Sequence, residues 1–75
     1  MKIVEVTWLD AVHQFGPVNK CEVDEGNPVK TIGYLVKRDK KFISIAMEYW
    51  PEQDVYRNVT TIPASIVKKV RYVER

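Results

Sequence analysis

A proline set between two runs of strand-forming residues constrains this chain more than any other feature. Thr60-Thr61-Ile62-Pro63-Ala64-Ser65-Ile66-Val67-Lys68-Lys69-Val70 reads as an extended segment that stops, turns within a few residues and resumes. Proline fixes φ and has no N–H, so ladder pairing ends at Pro63. Ala64 and Ser65 leave room for one tight 3₁₀ turn before Ile66 and Val67 return to a core. A small β-barrel closes through such a turn, and the rest of the chain is legible against that expectation.

Period-two alternation predicts a first strand over Lys2–Leu9, with Val4, Val6 and Trp8 on one face and Ile3, Glu5, Thr7 and Leu9 on the other. Residues 10–30 lose periodicity. They carry Gly16-Pro17, Gly26-Asn27-Pro28 and the acids Asp10, Glu22, Asp24 and Glu25, which is loop chemistry, and Phe15, Val18 and Val23 are expected to tack this long loop onto the barrel. A second strand is expected over Lys30–Lys37, with Ile32, Tyr34 and Val36 alternating against Gly33 and Leu35 and a candidate bend at Gly33. The charged turn Arg38-Asp39-Lys40-Lys41 leads to a third strand over Phe42–Tyr49, ending near Trp50, with Ile43, Ile45, Met47 and Tyr49 on one face. Pro51 breaks that strand and Glu52-Gln53-Asp54 turns the chain. Tyr56–Ile62 and Val67–Val73 are the fourth and fifth strands. The fold class is all-β: five antiparallel strands in a small barrel, a long loop after the first, one 3₁₀ turn before the last. Closure relieves the exposed edges that five such strands otherwise leave.

Size bounds the function. Seventy-five residues form one domain over 1–75 that buries only about 60% of its unfolded surface. So small a core leaves little room for a deep pocket, which favours a binding surface over an active site. Cys21 and His13 are the single cysteine and the single histidine, so neither an internal disulfide nor a Cys/His zinc site can be assembled from one chain. Their eight-residue separation lies in loop sequence with no oxyanion-hole signature, and the chain is expected not to be an enzyme and to need no cofactor. No apolar run reaches about 18 residues, and Glu5 interrupts what would be a signal peptide's apolar stretch. The expected location is the cytoplasm, without membrane association.

Charge is uneven along the chain. Residues 1–30 hold three Lys/Arg against five Asp/Glu, and residues 31–75 hold nine against five. The positive excess gathers at Lys37, Arg38, Lys40 and Lys41 and again at Lys68, Lys69, Arg71 and Arg75. Lys37, Arg38, Lys40, Lys41, Lys68, Lys69 and Arg71 are candidate phosphate-contacting residues, with Tyr49, Trp50 and Tyr56 as rings on which bases could stack. The competing reading is that lysines at turns and edges solubilise the sheet and block edge pairing. Acids at Asp39, Glu48, Asp54 and Glu74 interleave with the cations, and the isoelectric point of about 8.8 is only mildly basic. Trp8, Tyr49, Trp50 and Tyr56 are the candidate interface residues, since Trp and Tyr concentrate at the centres of protein interfaces.

The order strand, long loop, hairpin, strand, 3₁₀ turn, strand resembles Src-homology-3-like barrels, with Val6-Thr7-Trp8-Leu9-Asp10-Ala11 at that family's first strand and Ile62-Pro63-Ala64-Ser65-Ile66-Val67 at its closing turn. Peptide-binding members hold proline-rich ligands with stacked aromatics and an acidic loop, for which Glu22, Asp24 and Glu25 are the matching acids. Ile66 replaces the aromatic after the closing proline, and Phe42-Ile43 replaces the tandem tryptophan, so the resemblance implies the fold rather than that ligand. A weaker likeness is to Sm-like barrels, whose fourth strand Val55–Ile62 resembles; those chains open with a helix, whereas Met1–Val6 opens as strand. Gly33–Lys37, Phe42–Ala46, Ile62-Pro63, Ile66–Val70 and the opening Trp8-Leu9-Asp10-Ala11 resemble a group of short bacteriophage and prophage proteins. That resemblance implies an accessory protein that acts by binding a host or phage protein, or itself. The alternatives are a nucleic-acid-binding barrel and an oligomeric trap for a nucleotide signal.

Overall fold

The computed structural model describes residues 1–11, 14, 16–22 and 26–73. Five antiparallel strands form one sheet in the order β4-β3-β2-β1-β5, with β1 Ile3–Asp10, β2 Asn27–Arg38, β3 Phe42–Trp50, β4 Val55–Pro63 and β5 Val67–Tyr72. The 3₁₀ turn Ala64–Ile66 sits where the proline places it, with Pro63 at φ −59°. A second 3₁₀ turn, Lys20–Glu22, lies inside the long loop, where none was expected.

β2 begins three residues earlier than its composition suggests. Asn27, Pro28 and Val29 are poor or isolated strand formers, yet they pair with Asp10, Leu9 and Trp8. Pro28 is tolerated because β3 does not reach this part of β2, leaving only one neighbour to satisfy. The loop is correspondingly shorter. Of the side chains expected to tack it down, Val18 is exposed, and Phe15 and Val23 lie outside the described residues, as do His13, Asp24, Glu25, Glu74 and Arg75.

The sheet folds over on itself through β2. Val4 and Val6 of β1 pack in one cluster with Ile43 and Ile45 of β3 and Ile62 of β4, although β2 separates β1 from β3 in the sheet. Trp8, Leu35, Ile66, Val67 and Val70 pack against this cluster. Gly33 makes the bend possible: a Cβ there would stand 2.5 Å from the Ala46 carbonyl oxygen. Two ladder irregularities increase the twist. Val36 has no partner between the Leu35–Ile45 and Lys37–Ser44 pairs, and Lys68 has none between the Trp8–Val67 and Thr7–Lys69 pairs.

The expected closure is not seen as a ladder. β4 and β5 are the two ends of the sheet, and no pairing joins them. Nor does the β3 alternation continue as expected. Ile43 and Ile45 are buried, but so are Ser44 and Ala46 on the other face, while Met47 is 63% exposed and Tyr49 only half-buried. On β2 it is Leu35 that packs against the core, and Ile32 is 54% exposed.

Tyr34 explains the break. It is the last β2 residue paired with β1, opposite Ile3, and the first paired with β3, opposite Ala46. Beyond Ala46, β3 has no partner in β2 and continues with β4 alone as a two-stranded arm, Met47–Trp50 against Val55–Asn58. The molecule measures 53 × 22 × 21 Å, and its radius of gyration of 15.4 Å exceeds the roughly 11 Å of a compact chain of this length.

Candidate functional site

Two surfaces stand out, one at each end of β3. Phe42 and Trp50 are eight residue steps apart, about 26 Å along the strand. The aromatic end and the basic end are therefore separate places.

The aromatic end is the arm. Tyr49 and Tyr56 are direct cross-strand partners, with ring centroids 4.9 Å apart. Tyr34 joins them, its ring 6.2 Å from that of Tyr49. Rings at these separations and tilts attract beyond the area they bury. The Tyr49 hydroxyl donates to the Asp54 carboxylate at 2.8 Å, and this bond, more than partial burial, pushes the Tyr49 phenol above its ordinary value. Asp54 itself has a left-handed φ of +53°, which turns the chain after Pro51 and returns it as β4. At the tip, Trp50 and Val55 face each other across the ladder, each 43% exposed, and the Arg57 guanidinium lies 5.0 Å from the Trp50 ring. Met47 and Val59 are exposed at the base of the arm, next to and opposite Ala46.

Asn58 shapes the arm from the β4 side. Its φ of +56° interrupts regular strand geometry opposite Met47, and its side-chain amide donates to Glu48 at 2.8 Å. An irregularity of this kind on an edge strand discourages open-ended pairing with other chains. The arm therefore presents side chains rather than a flat backbone edge.

Trp8, the fourth candidate interface residue, belongs elsewhere. It is half-buried against the core and its indole N–H donates to the Thr31 hydroxyl at 2.9 Å. Its polar edge is satisfied internally.

The basic end is a groove of about 270 Å³ between the β2–β3 turn and β5, where Arg38, Lys68 and Lys69 stand beside apolar residues that include Phe42 and Val67. The turn is held from within. Asp39 accepts the backbone N–H groups of Lys41 and Phe42 at 2.8 and 3.0 Å, and the Phe42 and Lys41 bonds hold its carboxyl below the usual range. The Ala64 N–H donates to the Lys41 carbonyl at 2.8 Å, tying the turn to the 3₁₀ segment that launches β5. Cations distant in sequence thus meet: Arg38 with Lys68 and Lys69.

The remaining basic candidates do not join them. The Lys37 ammonium lies 5.6 Å from the Phe42 ring centroid, and Lys40 and Lys41 are exposed on the turn. Arg71 is paired with Glu5 at 3.2 Å across the β1–β5 ladder, and its hydrogen bond holds the Glu5 carboxyl below its ordinary value. Cys21 is exposed and unpaired with any other sulfur, and among the described residues no group of three His, Cys, Asp or Glu could hold a metal ion. Among the described residues no helix is long and apolar enough to cross a membrane.

Sequence reasoning missed Tyr34, Met47, Val55, Arg57 and Val59. Their signal exists only in strand register, which brings Tyr34 beside Tyr49 and sets Val55 opposite Trp50. Comparison with known protein families, characterised proteins and solved structures finds no match for this chain.

Proposed function

We propose that this chain is a non-catalytic interaction module, a small Src-homology-3-like fold of bacteriophage or prophage type, that recognises a protein partner or a second copy of itself through the β3–β4 arm in the cytoplasm of a bacterial host. The strand order, with β1 between β2 and β5 and a 3₁₀ turn leading into β5, supports the fold reading. One observation carries the functional reading: the arm leaves the core at Ala46 and ends in the exposed Trp50–Val55 pair, on the face opposite the Tyr49–Tyr56 pair. A chain this small gains little stability by extending two strands into solvent, whereas aromatic side chains on a projecting hairpin are the usual centre of a recognition surface.

The nucleic-acid reading needs rings and cations on one face. Here Tyr49, Trp50 and Tyr56 lie about 23–26 Å along β3 from its Phe42 end, and the cation over Trp50 is Arg57. Sedimentation of the wild-type chain and Trp50→Ala, with partner capture from nuclease-treated extract, tests the proposal. Loss of self-association or of the captured protein in Trp50→Ala, with thermal unfolding unchanged, supports it. Unchanged mass and capture count against it.

A further inference from the structure

We infer that the groove beside β5 is a second binding site, which takes an extended acidic peptide of a partner protein as an added strand. Four consecutive residues, Val67 to Val70, line this groove. The groove follows the chain from the 3₁₀ turn through the first four residues of β5. The outer edge of that strand is open: β5 pairs with β1 on one side and with no strand on the other. A strand edge with free backbone donors and acceptors is a template for an incoming chain.

The side chains state what kind of chain. Arg38, Lys68 and Lys69 stand around the groove, and none of them forms a salt bridge among the described residues, although the Lys69 charge also acts on the Glu5 carboxylate. The single acid in the lining, Asp39, is engaged by two backbone N–H groups of its own turn. The lining itself carries an excess of two positive charges. Lys68 is the residue left without a partner in the β1 ladder, and such a bulge re-aims the side chain that it carries. Arg38 reaches toward β5 from the β2 side, its guanidinium 3.5 Å from the Tyr72 hydroxyl at the end of that strand.

The apolar residues in the lining favour a peptide over a phosphate chain. Phe42 and Val67 offer a place for one aliphatic or aromatic side chain between flanking carboxylates, which a phosphodiester backbone does not supply. Lysines on an edge strand ordinarily repel neighbours, but a carboxylate-bearing strand turns the same charges into attraction and register.

The site is independent of the arm, and its test keeps the two apart. Random peptides displayed on phage are selected on the immobilised full chain, and a selected sequence is synthesised and titrated. The expected sequences carry two or more Asp or Glu around one apolar residue. The peptide should bind more weakly as salt rises, slow amide exchange over Val67–Tyr72, and bind Trp50→Ala as it binds wild type. Lys68→Glu with Lys69→Glu should weaken it about tenfold or more. Arg38→Gln, which leaves β5 untouched, should weaken it in the same direction, so a folding defect in the double variant does not decide the matter. Failure to enrich acidic peptides, equal binding by the charge-reversed and Arg38→Gln chains, or unchanged exchange over β5 would overturn the proposal. So would tighter competitive binding of an oligothymidylate, which would assign the groove to nucleic acid.

Discussion

The Tyr49 hydroxyl reaches across the turn at the tip of the arm and donates to the Asp54 carboxylate at 2.8 Å. The bond fixes the ring that stacks on Tyr56 and so connects the turn's backbone geometry to the aromatic surface. It also favours the protonated phenol, raising the Tyr49 pKa above its ordinary value of 10.0. A raised folded pKa contributes stability that is complete below the ordinary value and is lost as pH rises through the folded one. Tyrosinate absorbance should therefore show a late alkaline component that Tyr49→Phe removes and Asp54→Asn moves toward the ordinary value.

Gly33 sets how closely β2 and β3 approach. A methyl group there would stand 2.5 Å from the Ala46 carbonyl oxygen, a backbone atom that cannot swing aside. Gly33→Ala should cost about 1–3 kcal/mol in urea unfolding, as overpacking does elsewhere. The loss should come with weakened protection of the β2–β3 amides in hydrogen exchange.

Asn58 holds a left-handed φ of +56° on β4. Asn58→Ala should lose about 1–2 kcal/mol, the usual cost of that conformation for a residue with a Cβ. Asn58→Gly should lose less, because it accepts the φ and forfeits only the bond to Glu48. Equal losses for the two variants in urea unfolding would place the effect in the side-chain bond instead.

Asp39 makes the β2–β3 turn sensitive to acid. Its pKa lies below the ordinary 3.8 because the Phe42 and Lys41 N–H groups bind the carboxylate. A depressed folded pKa contributes stability that is present above the ordinary value and disappears as pH falls through the folded one. The stability difference between wild type and Asp39→Ala should hold constant above about pH 5 and shrink below the ordinary carboxylate value. Thermal unfolding across that range measures it.

How much of this was readable in advance follows the physics of each element. β1 alternates cleanly, and Pro63 dictates the 3₁₀ turn at Ala64–Ile66, so both are visible in the residues themselves. The early start of β2 is not, because Asn27 and Pro28 join the strand only through pairing with Asp10 and Leu9. Met47 and Tyr49 fit the alternation of Ile43 and Ile45, yet the core stops where β2 turns away at Tyr34. Nothing local to β3 announces that departure. The meeting of Arg38 with Lys68 and Lys69 likewise depends on how β5 crosses the β2–β3 turn, a long-range relation set by register and bulges.

The central claim is that the arm is a protein-binding surface, and photo-crosslinking from its tip tests that most directly. A benzoylphenylalanine replacing Val55, irradiated in bacterial cells, should give one discrete protein adduct or a dimer of the chain. The adduct should survive nuclease and disappear when Trp50→Ala is added. No discrete adduct, one that nuclease abolishes, or one that Trp50→Ala leaves intact would contradict the account.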